Sequence, residues 1–179
     1  MKRQLVCALG LGLVLAVSTA GMLLAQTPPG GTPAGKQDVC LSNIRQLALG
    51  CIMYAGDYYR FPRAEKWCDG IAPYIRNERI HHCPADKAKY SYAMNPNVGG
   101  KDLGKIADPG AVVLVFESTK GKKNAFDAGK SWPARARHPG GNCVAYVDGH
   151  AKCTKKKPDF RVALTREKTK KPRAGSGKP

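Results

Sequence analysis

The chain has 179 residues, 42 % of them apolar and 24 % charged, with a formal net charge of +17. That length holds one modest domain once both ends are set aside, which excludes a multidomain machine. The basic balance invites a nucleic-acid partner, but the leader described next points to export and sets that class aside.

Lys2 and Arg3 precede an uncharged run from Leu5 to Ala25 that is rich in Leu, Val and Ala. A polar, turn-rich stretch beginning Gln26-Thr-Pro-Pro-Gly-Gly follows. Residues 1–25 therefore read as a secretory signal peptide cut after Ala25. An uncleaved membrane anchor is the alternative, because the run is just long enough to span a bilayer. Gly10, Gly12, Ser18, Thr19 and Gly21 weaken it as a permanent span. The mature protein is expected in the periplasm, at the cell surface or outside the cell. Cys7 leaves with the leader, and six cysteines remain: Cys40, Cys51, Cys68, Cys83, Cys143 and Cys153. An even number in an exported chain points to disulfides, with buried free thiols as the alternative. No Cys-x-x-Cys pair marks a zinc site.

Residues 26–37 read as a Pro/Gly linker. Asp38 is then a suitable N-cap for a helix running to Tyr59. Cys40, Ile44, Leu47, Cys51, Tyr54 and Tyr58 recur at spacings of three and four, so they share one face; Leu41, Ala48, Ile52 and Ala55 widen it. Gly50 costs about 1 kcal/mol relative to Ala inside a helix, and its small size admits a close neighbour. Phe61-Pro62 ends the helix. A short helix is expected over residues 67–75 and a strand over 90–95, with loop from 95 to 108. The apolar run from Ala111 to Glu117 reads as a strand central in its sheet. Residues 118–137, polar, basic and Gly-containing, read as a surface insertion.

Residues 142–147 and 150–154 close the domain as a hairpin. A loop of Val147-Asp148-Gly149, with Gly149 left-handed, sets Tyr146 opposite His150. Cys143 then faces Cys153 at a non-hydrogen-bonded position, where side chains lie closest, so a cross-strand disulfide is expected. Cys40 and Cys51 cannot bridge each other, because eleven helical residues separate them by about 16 Å. Cys40, Cys51, Cys68 and Cys83 are expected to form two more disulfides, with Cys40 taking either Cys68 or Cys83; the pairing stays open.

His138, Asp148 and His150 offer two imidazoles and a carboxylate, the weak candidates for a metal site. A structural role is the reading taken: Asp148 suits the turn, and His138 beside Pro-Gly-Gly fixes a loop by backbone hydrogen bonds. His81 and His82 are adjacent, so on an extended chain they point apart and are expected to be exposed. Asp57 and Asp148 lack the neighbouring carboxylates a calcium site needs. Glu117 is a lone carboxylate with no visible acid/base partner, and nothing marks an activated thiolate. No catalytic residue is assigned and no cofactor is expected.

From Thr154 onward, ten basic residues stand against Asp159 and Glu167. Residues 156–179, rich in Lys, Arg, Pro, Gly and Ser, read as a disordered basic tail. Its expected partners are envelope proteins and anionic surface polymers or lipids, not nucleic acid; a solvated tail without a partner is the alternative.

Nine residues separate His138 from Asp148-Gly149. That pattern resembles the H-X9-DG, or prepilin-type processing-associated, proteins, a bacterial family related to type IV pilins and type II secretion pseudopilins. The blocks Cys40-Leu-Ser-Asn-Ile-Arg-Gln-Leu, Met53-Tyr-Ala-Gly-Asp57, Phe61-Pro62, His81-His-Cys83-Pro, Ser91-Tyr-Ala-Met-Asn95 and Val112-Val-Leu-Val-Phe-Glu117 are similar to the family's and occur in its order. The resemblance implies an α+β pseudopilin-like domain over residues 38–155, with a long N-terminal helix packed on a small antiparallel sheet that ends in a β-hairpin. The leader departs from the family. Gly21-Met22 resembles its cut site, but Gln26 stands where the family carries Glu at the fifth mature position, and a Pro/Gly linker follows. A non-enzymatic structural or interaction protein of the cell envelope is expected, associated with a type II secretion or type IV pilus-like system. The alternative is a small metal- or ligand-binding module centred on the C-terminal hairpin.

Overall fold

The computed structural model describes residues 31–165, so the expected signal peptide and residues 166–179 of the basic tail lie outside the described residues. Helix α1 spans Pro33–Tyr58 and α2 spans Trp67–Ile71. Four short strands follow: β1 (Tyr92–Met94), β2 (Val113–Glu117), β3 (Asn142–Tyr146) and β4 (Ala151–Thr154). They form one antiparallel sheet in the order β1-β2-β3-β4. The architecture is α+β, and α1 lies across β2, β3 and β4.

The helix starts before the expected Asp38. Thr32 is the N-cap, its hydroxyl accepting from the Gly35 amide at 3.0 Å. Pro33 occupies the first helical position, where a missing N–H costs nothing. Residues 33–37 are therefore helix and not linker. The buried stripe holds Cys40, Ile44, Leu47, Ala48, Cys51 and Ala55. Tyr54 and Tyr58 depart from it: Tyr58 is exposed, and the two rings stack on each other at 4.4 Å instead of entering the core. At Gly50 an added Cβ would already touch Ile71 and Ile75 at 3.4 Å, so the small residue lets α2 and its continuation press on α1.

β2 is interior and buried along its whole length, as its apolar run requires. Its register against β3 shifts between Val113 and Val115. Two consecutive residues, Leu114 and Val115, consequently belong to the core under α1, while Val113 and Phe116 face the opposite side. This bulge reverses the alternation. It turns Glu117, one residue past Phe116, toward the helix.

The opposite side of the sheet is also covered. Ala93, Val113, Phe116, Val144 and Tyr146 pack there with Ala125, Trp132 and Phe160. Residues 118–137 are thus not a mere surface insertion. Residues 125–127 hydrogen-bond along Met94 at the free edge of β1, and the Trp67 indole donates to the Ala125 carbonyl at 2.9 Å. Residues 156–165 are likewise not a free tail. The Asn95 and Asn97 side-chain amides both donate to the Phe160 carbonyl at 3.0 Å, and Thr165 N donates to Lys105 O. Buried Asn95 finds in that carbonyl an acceptor its burial demands, and exposed Asn97 adds a second donor to it.

Candidate functional site

The H-P-G-G turn builds one wall of a buried polar cluster. His138 and Gly141 exchange backbone hydrogen bonds at 3.2 and 2.9 Å, closing the turn over Pro139 and Gly140. The Gly140 amide donates to Gln37 Oε1 at 2.7 Å, which ties the turn to α1. Gly141 holds φ +115°, and an added Cβ would collide with the Thr154 backbone of β4. The backbone is thereby fixed on both sides, and the His138 ring is driven inward until 4 % of the residue remains exposed.

Glu117 lies at the centre, fully buried. Its Oε2 accepts from the Cys143 amide at 2.6 Å. Its Oε1 is 3.2 Å from His138 Nε2, 3.3 Å from Cys40 Sγ and 3.5 Å from an Arg137 guanidinium nitrogen. Cys83 Sγ is 3.3 Å from the same His138 Nε2, and Cys40 Sγ is 3.1 Å from the Tyr92 hydroxyl. Arg137 braces the rim: it pairs with Asp86 at 2.8 Å and donates to the Ser91 and Ser118 carbonyls. The cluster draws on α1, β1, β2, the segment before Pro84 and the H-P-G-G turn.

The electrostatics follow from burial set against partners. Burial pushes the Glu117 carboxyl up, but the His138 hydrogen bond and the Cys143 amide outweigh it and hold the group below its ordinary value. Burial pushes His138 down, yet the hydrogen bonds of Cys83 and Glu117 outweigh it and raise the ring to about 9. The hydrogen bond between the two thiols splits them: Cys40 is pushed far up by Cys83, burial and Glu117, while Cys83 is lowered to about 6, first by Cys40 and then by His138. His138 Nδ1 is buried without a hydrogen-bond partner, so Nε2 is the ring's one working atom.

Cys143 and Cys153 pair in the β3–β4 register and are joined by a disulfide, with Cα atoms 3.9 Å apart. Gly149 has φ +90°, and Tyr146 N donates to His150 O across the turn. Cys40, Cys51, Cys68 and Cys83, in contrast, are free buried thiols and not two further disulfides. Three of the four sulfurs are engaged as polar groups instead. Cys40 serves Tyr92 and Glu117, Cys83 serves His138, and Cys68 accepts from the Asn124 amide at 3.4 Å and contacts His81 Nδ1 at 3.8 Å. Cys40 nonetheless lies beside Cys83, and Cys51 is within electrostatic reach of Cys68.

The sequence-derived trio of His138, Asp148 and His150 does not assemble. Asp148 and His150 pair with each other at 2.6 Å on the exposed hairpin turn, and the His150 ring stacks on Tyr146 at 4.2 Å. His138 is buried in the cluster. Among the described residues, the donor atoms that gather within 4.8 Å belong to Cys40, Glu117, His138 and Cys143. The two neighbouring histidines are not exposed: His81 is buried, and His82 is half-buried with Nδ1 2.8 Å from the Ala88 carbonyl. Asp57 is taken by the Tyr74 hydroxyl at 2.6 Å. The sequence reading missed Glu117 as the hub. The usable signal was a carboxylate ending an otherwise apolar strand, which demands a buried partner.

Compared with protein-family models, with curated proteins and with solved structures, the chain matches none.

Proposed function

We propose that this is an exported, non-enzymatic, pseudopilin-like structural or interaction protein of the cell envelope, working beside a type II secretion or type IV pilus-like system. The observation that carries the reading is the burial of the cluster: Cys40, Cys83 and Glu117 are each 0 % exposed. Surface hollows lined by Glu78, Arg79, His82, Lys89 and Tyr90, or by Tyr146, Lys152 and Thr154, include none of these side chains. The geometry also opposes a thiol enzyme. A relay needs one ring nitrogen for the nucleophile and the other for the orienting acid, whereas here Cys83 and Glu117 both address Nε2.

Export is supported by the Cys143–Cys153 bridge, a bond that persists in oxidising compartments. The pseudopilin-like reading is supported by one long helix laid across a small antiparallel sheet and by the family-like blocks of sequence. Among the described residues no helix is long and apolar enough to cross a membrane. The test is recovery of partners from envelope fractions with the full chain and with a chain ending at Thr165, which keeps the packed residues 156–165. Retention of an envelope component, weakened by the truncation, supports the reading and assigns the contact to the tail. Recovery of the protein from the cytoplasm with no envelope component retained contradicts it.

A further inference from the structure

We propose that Cys40, Cys83, His138 and Glu117 form a buried site for one divalent cation of the zinc class. Four separate segments supply the donors, so no compact cysteine motif announces the site. The donor spacings are 3.3 Å for Cys40 Sγ to Glu117 Oε1, 3.3 Å for Cys83 Sγ to His138 Nε2 and 3.2 Å for His138 Nε2 to Glu117 Oε1. Tetrahedral ligands held at about 2.0–2.3 Å from an ion stand roughly 3.3–3.8 Å apart, so three of the six edges of such a shell are already near that spacing. Of the donors that gather within 4.8 Å, those of Cys40, Glu117, His138 and Cys143, the last is consumed by its disulfide. Cys83, whose Sγ is 3.3 Å from His138 Nε2, takes the fourth place.

Protons alone serve this cluster poorly. Nε2 carries at most one hydrogen, and Cys83 Sγ and Glu117 Oε1 both lie within reach of it. Oε1 is in turn approached by Cys40 and Arg137. A cation on the four donors satisfies all of them together and displaces the protons that the thiols and Nε2 carry. Two thiolates and one carboxylate against a divalent ion leave one negative charge. The Arg137 guanidinium, 3.5 Å from Glu117 Oε1, offsets it. Thiolate and imidazole donors favour zinc over magnesium or calcium. The ion would clamp α1 to β2 and to the H-P-G-G turn, a structural role that does not depend on where the protein resides.

The cation and a Cys40–Cys83 disulfide exclude each other, because both use the same sulfurs. The full chain, purified without chelator and supplied with zinc, is therefore assayed for metal content and, after exchange into cobalt(II), for absorption. The expected result is a stoichiometric ion and the near-ultraviolet sulfur-to-cobalt band with tetrahedral visible bands. The Cys40→Ser/Cys83→Ser variant loses both signals, and Cys51→Ser keeps them. A folded full chain that takes up no stoichiometric zinc and gives no cobalt–thiolate band overturns the proposal, as does a Cys40–Cys83 bridge found by mass spectrometry in the zinc-supplied protein. The full-chain measurements decide the matter even if the double variant fails to fold.

Discussion

At Gly141 the backbone is left-handed, with φ +115°, and its missing Cβ leaves room for the Thr154–Lys155 backbone at the end of β4. A side chain there meets rigid main chain, so neither a rotamer change nor a small shift relieves it. Gly141→Ala should destabilise the fold by on the order of 2–3 kcal/mol, read as a lower denaturant midpoint at unchanged slope; a loss of under about 0.5 kcal/mol would refute the packing described. Gly140, one residue earlier, meets only the Gln37 side-chain amide, which can move, so alanine is tolerated better there. This pair shows what the sequence reveals and what it hides. The Pro-Gly-Gly run is legible as a turn, and His138 as the residue the turn fixes. The inward aim of the ring was not legible, because it depends on which strand lies behind the second glycine. Glu117 was hidden for a related reason. Strict alternation from Val113 places it on the same side as Val113, and the bulge at Leu114, which no residue type signals, places it opposite.

Among the elements, the β3–β4 hairpin was the most legible. Loop length and the left-handed Gly149 set the register, and the register sets Cys143 against Cys153. The bridge closes a short loop, with a sequence separation of 10. The double variant Cys143→Ala/Cys153→Ala should therefore lose about 2–3 kcal/mol through the greater entropy of its unfolded chain; an unchanged melting temperature would show that the hairpin holds without its cross-link. The start of α1 was less legible, because Thr32-Pro33 sits in a stretch whose Pro and Gly content imitates a linker, although Thr at the N-cap followed by Pro is itself a start signal. The segment 118–137 looked solvent-borne because three of its buried residues, Ser118, Asp127 and Ser131, are polar. Asp127 is one of them. Burial raises its carboxyl, but the Ser131 hydrogen bonds and Lys120 hold it below its ordinary value. A group depressed in the folded state stabilises that state above its unfolded value of about 3.9, and this contribution is lost as pH falls through the folded value. Asp127→Asn should flatten stability on the acid side below about pH 4; an acid limb identical to that of the parent chain would remove Asp127 from the account.

For the molecule as a whole, the sheet is a wall between two cores. The helix side carries α1, α2 and the Glu117 cluster, while the other side is closed by residues 118–137 and by the returning chain at Phe160. The tail's composition predicted no packing, and one carbonyl, held by Asn95 and Asn97, supplies it. Asn95 also donates to Val113 O at 2.9 Å, so it staples β2 to the returning chain. Asn95→Ala should cost about 1–3 kcal/mol by removing the donor from the Val113 carbonyl and leaving Asn97 alone on Phe160 O, and should speed amide exchange and proteolysis across residues 156–165 before the sheet is affected. Uniform loosening of both sides together would contradict the division into two cores.

The central claim is that an exported chain oxidises its final hairpin while keeping its inner thiols sealed beneath α1. Thiol labelling of the native protein from separated cell fractions, read by intact mass spectrometry, tests it most directly. The account predicts a species outside the cytoplasm that has lost its first 25 residues, carries the Cys143–Cys153 bridge and takes label at Cys40, Cys51, Cys68 and Cys83 only after unfolding. An intracellular species with Cys143 and Cys153 reduced and the other four labelled in the native state would contradict it.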